Sequence, residues 1–71
     1  MEISFDLQAD AVYIQLSKGK FDHIKKMDED TILDYDAKGH LLGIEILGAS
    51  TWMSTKDLSC IKVNMPLKTM A

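Results

Sequence analysis

A chain of 71 residues, 46% hydrophobic and 27% charged, has the composition of one small globular domain, which excludes a disordered or fibrous class and predicts a core with little stability margin. Its single cysteine, Cys60, excludes an intrachain disulfide and has no zinc-like spacing to His23 or His40, so no metal or cofactor is expected and association is left as the way to reinforce the core. The net charge of −3 is opposite in sign to a phosphate-neutralising surface, and no window approaches the roughly 18 apolar residues of a membrane span; neither nucleic acid nor membrane is an expected partner.

In chain order, Met1, Ile3 and Phe5 alternate with Glu2, Ser4 and Asp6, the period of two of a half-buried strand. The N-terminus has no basic segment leading into a long apolar run, so a cytoplasmic protein is expected. Residues 6–10, DLQAD, carry an aspartate at each end of a loop, where Asp carboxylates bond back to neighbouring backbone N–H groups. A second strand over residues 11–17 sets Val12, Ile14 and Leu16 on one face and Ala11, Tyr13 and Gln15 on the other. Lys18, Gly19 and Lys20 mark a turn. Residues 21–27, FDHIKKM, alternate imperfectly, and their lysines suit an edge strand, where charge discourages pairing with foreign strands. Asp28, Glu29 and Asp30 form an acidic turn.

The stretch TILDYDAKGHLLGIEIL, residues 31–47, is predicted to be a tight hairpin and the centre of the fold. Asp36 opens a type I turn, and Gly39 takes the left-handed conformation that closes it with a glycine bulge. A three-residue loop over residues 37–39 then sets Asp36 against His40, Tyr35 against Leu41, Asp34 against Leu42, Leu33 against Gly43, Ile32 against Ile44 and Thr31 against Glu45. One face would carry Ile32, Leu42, Ile44 and Ile46, and the other Leu33, Tyr35, Leu41 and Leu47, leaving both substantially apolar.

Beyond Leu47, Gly48, Ala49 and Ser50 break the alternation. Ser54 or Thr55 is expected to cap a short helix with Asp57 in its first turn. Ile61, Val63 and Met65 then alternate as a last strand halted by Pro66, although the helical spacing of Leu58, Ile61 and Met65 competes with that reading. The expected fold is mainly β (α+β): one domain over residues 1–71, a single antiparallel curled β-meander of five to six strands with one short helical segment near the C-terminus.

The motifs FDLQADAVYIQLS and DYDAKGHLLGIEILGAS resemble a family of short prokaryotic proteins known as domain of unknown function family 2283. Its pattern is Tyr-Asp-x-x-Ala-Asp-Ala-Leu-Tyr-Ile, a variable hairpin, then Asp-x-Asp-x-x-Gly-x-x-x-Gly-Ile-Glu-Ile-Leu. Asp6, Ala9, Asp10, Ala11, Tyr13, Ile14, Asp34, Asp36, Gly39, Gly43, Ile44, Glu45, Ile46 and Leu47 stand at matching places; Phe5 and Val12 replace the usual Tyr and Leu. The resemblance spans roughly the first 50 residues and implies a compact β-rich fold with no assigned activity, substrate or catalytic residue. In size and charge the chain is similar to the small acidic partners of toxin and antitoxin pairs.

Several constellations suggest chemistry. Asp34, Asp36, Gly39 and Glu45 reproduce the first, third, sixth and twelfth positions of an EF-hand, but Lys38 stands at the fifth, which should donate oxygen, and the flanks alternate as strands instead of helices. His23 and His40 lie beside turns with no nucleophile or phosphate cradle near them, and Cys60 has only Lys62 nearby to lower its pKa. Glu45, between Ile44 and Ile46, needs a partner: Thr31 across the hairpin, or a lysine from a neighbouring strand or subunit. The expectation is a non-enzymatic interaction module, a homodimer that also suits a protein partner, with Tyr13, Leu33, Tyr35, Leu41, Glu45 and Leu47 as the contact face and Asp36 and Gly39 as a structural turn. The alternative is a small-ligand-binding or catalytic protein whose site, formed on assembly, uses Asp10, Asp34, Asp36 or Glu45.

Overall fold

The computed structural model describes residues 1–66. Five strands, β1 (Glu2–Asp6), β2 (Ala11–Gln15), β3 (His23–Lys26), β4 (Thr31–Tyr35) and β5 (Leu41–Leu47), precede a 3-10 turn (Ala49–Thr51) and a short helix α1 (Thr55–Leu58). All strand pairings are antiparallel, and the strands form one open sheet in the order β1-β2-β5-β4-β3. The fold is therefore mainly β, as the alternation predicts. Two hairpin-linked units, β1-β2 and β3-β4-β5, join where β5 pairs with β2. The connection after β2 is held by the Leu42 carbonyl, which accepts from Leu16 N at 2.8 Å and Ser17 N at 3.2 Å. The edge strand β3 carries Lys25 and Lys26 and is exposed throughout.

The central turn closes as its sequence requires. Gly39 N donates to Asp36 O at 3.1 Å, Asp36 N to His40 O at 3.0 Å, and Gly39 has φ 84°, where a side chain is strained. Three residues further into the hairpin the expected register fails. Tyr35 does pair with Leu41, but a bulge between Asp34 and Tyr35 then sets Asp34 against Gly43, Leu33 against Ile44, Ile32 against Glu45 and Thr31 against Ile46. Leu42 is the extra residue, with its carbonyl doubly engaged by β2 and its side chain against Gly19, where an added Cβ would lie 2.8 Å from Leu42 Cδ2.

Because each one-residue slip exchanges the faces, the bulge re-sorts the sheet. The two apolar faces expected from the unbulged register do not exist. One face carries two rows that run across the strands by register, Ile3, Ile14, Ile44 and Leu33, then Phe5, Val12 and Ile46 ending at Thr31. The other carries Ser4, Tyr13, Glu45, Ile32 and Lys26, flanked by Glu2, Gln15, Gly43, Asp34 and Ile24. The expected contact residues consequently do not share a face: Leu33 and Tyr35 lie on the aliphatic side, and Tyr13, Glu45 and Leu47 on the polar side.

Ser54 caps α1 through a reciprocal capping box: its Oγ accepts from Asp57 N at 3.1 Å and Asp57 Oδ2 accepts from Ser54 N at 3.2 Å. The expected last strand is absent from the described residues. Ile61, Val63 and Met65 remain 55%, 74% and 54% exposed, because no edge of their own sheet pairs with them. Among the described residues the buried apolar side chains are Val12, Leu42 and Ala49, none of the large ones fully so. All five strands lie in one sheet, with the 3-10 turn and α1 following it in the chain.

Candidate functional site

The polar face has its centre where β2, β5 and β4 run side by side. Tyr13 stands opposite Glu45, and Asp34 opposite Gly43, one pair further along. The tyrosine ring leans across the glycine: a Cβ on Gly43 would lie 2.6 Å from Tyr13 Cζ, so only glycine admits the ring there. This brings the phenol and two carboxyl groups together. In the unbulged register Asp34 and Glu45 would point to opposite faces; the bulge places them on one, and Ile32 takes the place across the hairpin from Glu45 that was expected of Thr31.

Asp34 is 9% exposed, and its Oδ1 is buried with no hydrogen-bond partner. Burial pushes the half-buried Glu45 carboxyl above the usual carboxylate range, with hydrogen bonding and like charge from Asp34 adding to it. Burial likewise raises the Tyr13 phenol, followed by the charge of Asp34, its hydrogen bonding and the charge of Glu45. The group thus brings two carboxyl groups and a tyrosine hydroxyl together, with Asp34 favouring the protonated form of Glu45. An open groove of about 680 Å³ adjoins it, lined by Tyr13 and Glu45 together with Ser4, Phe5, Leu7 and Leu47.

The other candidate carboxylates lie elsewhere. Asp36 Oδ1 accepts from Lys38 N at 2.9 Å and His40 N at 2.8 Å, and Oδ2 meets His40 Nδ1 at 3.0 Å; the His40 N–H is the main cause holding this carboxyl below the usual range. Asp10 corrects its loop reading. Asp6 bonds back to Gln8 N and Ala9 N as expected, but Asp10, at φ 50°, reaches 40 residues along the chain to Ser50, accepting from its N at 3.0 Å and its Oγ at 2.6 Å. Ala49 N also donates to Asp10 O at 2.8 Å, so one residue pins the 3-10 turn to the first hairpin. Ser50 carries no signal in the sequence that would pair it with Asp10.

His23 stacks on Tyr35 with ring centroids 5.4 Å apart and meets Asp22 Oδ2 at 2.7 Å. Cys60 is an exposed free thiol. Among the described residues no three His, Cys, Asp or Glu side chains are grouped to hold a metal, and no helix is long and apolar enough to cross a membrane.

The family described as protein of unknown function (DUF2283) matches residues 2–50, a span that takes in all five strands, the acid and tyrosine cluster, and Asp10 with its partner Ser50. No curated protein and no solved structure matches the chain.

Proposed function

The chain belongs to the DUF2283 family, and from that premise we propose that it is a non-catalytic, cytoplasmic, single-domain interaction module whose first partner is a second copy of itself, packed through the aliphatic sheet face. The observation that carries this reading is the pattern of the sheet: Ile3, Ile14, Ile44 and Leu33 form one aliphatic row across four strands and Phe5, Val12 and Ile46 a second, and of these only Val12 is buried within the chain while Ile3 is 37% exposed.

Stable domains place a second layer against the apolar face of a sheet, and among the described residues only the 3-10 turn and the short helix α1 stand outside this one sheet. Two sheets facing each other would supply it, with the rows of Ile3, Ile14, Ile44 and Leu33 and of Phe5, Val12 and Ile46 turned inward at about 10 Å separation. Sedimentation equilibrium of the chain and of Leu33→Asp tests this: the parent is expected as a dimer and the variant as a monomer or an unfolded chain. A well-folded parent monomer at high concentration would turn the face over to a different protein partner, as an antitoxin-like module would use it.

The convergence of Asp34, Glu45 and Tyr13 favours a second reading, a small-ligand site on the polar face. Against a catalytic use stands the engagement of Asp36 by backbone N–H groups and of Asp10 by Ser50, well apart from the cluster in the register. A thermal shift with small amines or cations that Glu45→Gln abolishes would support the ligand reading.

A further inference from the structure

The aliphatic rows stop at β1, whose outer edge is unpaired among the described residues, while the strand-patterned residues 61–65 join no strand there. We propose that this C-terminal arm is exchanged between copies, adding residues 61–65 of one chain as a sixth, antiparallel strand on the β1 edge of the other. The inference rests on the self-association proposed above and uses a surface continuous with it, since Ile3 and Phe5 end the two aliphatic rows on β1.

Length, pattern and charge agree on this edge. β1 spans five residues, Glu2–Asp6, and four residues of the arm, 62–65, can lie opposite residues 3–6 of it, with Ile61 opposite Leu7. With Lys62 set opposite Asp6, Val63 falls opposite Phe5, Asn64 opposite Ser4 and Met65 opposite Ile3. The arm's exposed aliphatic side chains then lengthen the aliphatic rows, and Lys62 and Asn64 join the polar face. Pro66, which has no N–H to give to a ladder, marks the natural end of pairing.

The opposite edge does not suit the arm. β3 presents Lys25 on the aliphatic side and Lys26 on the polar side, so Lys62 would meet like charge there, whereas β1 offers Glu2 and Asp6 on the side where Lys62 would lie. An open edge of alternating apolar residues also invites uncontrolled pairing, and a dedicated strand from a partner copy closes it.

The test is a disulfide trap in the full-length chain: Ser4→Cys with Asn64→Cys on a Cys60→Ser background, oxidised mildly. Sedimentation is measured first on the reduced form, then non-reducing electrophoresis on the oxidised form. A reduced dimer that becomes a covalent two-chain species, with the yield lowered several-fold by Lys62→Glu, is the expected result. A reduced dimer that forms no bridge overturns the arm exchange and leaves the face-to-face dimer standing. A bridge within one chain shows the arm folding onto its own β1 and overturns the exchange, and a reduced monomer overturns both.

Discussion

The two faces of this sheet are built from the same strands, residue by residue in alternation, yet they meet opposite demands. On one side Ile3, Ile14, Ile44 and Leu33 line up across four strands with no polar neighbour until Lys25 at the edge. On the other, Tyr13, Glu45 and Asp34 gather around Gly43, where the missing Cβ lets the tyrosine ring lie across the strand. The difference teaches that the bulge at Asp34 and Tyr35 is the organising device of the fold. Without it Ile32 would lie with the aliphatic set, Leu33 would oppose Gly43, and Asp34 would lie beneath neither Tyr13 nor Glu45. One inserted residue separates an aliphatic surface from one on which an aspartate, a glutamate and a tyrosine meet.

The largest effect is expected from putting a charge into the aliphatic face. Ile44→Asp should cost about 3–5 kcal/mol, because an unpaired carboxylate would be buried once a second layer covers it. The matched change Gln15→Asp on the polar face should stay within about 0.5 kcal/mol. Urea denaturation of both variants compares the faces directly, and equal small losses would mean that neither is covered.

Next in size is the contact that ties the 3-10 turn to the first hairpin. Asp10→Ala removes the acceptor of Ser50 N and Oγ and leaves an alanine at φ 50°, so a loss of about 2 kcal/mol is expected. Asp10→Asn keeps both an acceptor and a tolerance for that backbone, and should recover more than half of the loss in the same melt.

Gly39→Ala isolates the turn. No atom lies within 4 Å of the added Cβ, so the expected cost of about 1 kcal/mol is backbone strain alone. A melting temperature unchanged from the parent would show that the turn tolerates a side chain and that φ at this position is not what closes the hairpin.

The polar face has its own signature in pH. Glu45 has its pKa raised in the folded chain, so the fold holds its proton more tightly than the unfolded chain does, and stability falls as pH rises from the ordinary carboxylate range through that raised value. Glu45→Gln should flatten this dependence and gain stability near neutral pH. Asp36 runs the other way: its lowered pKa contributes stability that is present above the ordinary carboxylate value and lost as pH falls through the lowered one. Chemical denaturation across the acidic range in the parent, Glu45→Gln and Asp36→Asn separates the two slopes. Loss of the Glu45-dependent slope on mutation to glutamine is expected, and an unchanged slope would place the proton elsewhere.

Local chemistry made much of this legible. The Asp36 and Gly39 turn, the capping role of Ser54 with Asp57, the edge position of the lysine-bearing strand and the membership in the family all follow from short-range patterns. The bulge is different, because Leu41 and Leu42 are both apolar and the extra residue leaves the hydrophobic pattern unbroken; only Leu16 and Ser17, more than 20 residues away, reveal it by sharing the Leu42 carbonyl. The cluster was hidden by the same slip, which in the unbulged reading sends Asp34 and Glu45 to opposite faces. Asp10 and Ser50 illustrate a second limit, since an aspartate in a polar loop reads as a local cap until the fold carries a distant serine to it. Residues 61–65 illustrate a third: their alternation is that of a strand, but a strand needs a neighbour, and the chain's own sheet gives them none.

The division into an aliphatic and a polar face has one direct consequence in solution. Sedimentation equilibrium of the unaltered chain near neutral pH, over a hundredfold range of concentration, should give twice the 8.0 kDa chain mass, dissociating only at the dilute end. A stable, cooperatively folded species of single-chain mass at every concentration would contradict a second copy as the cover of the aliphatic face.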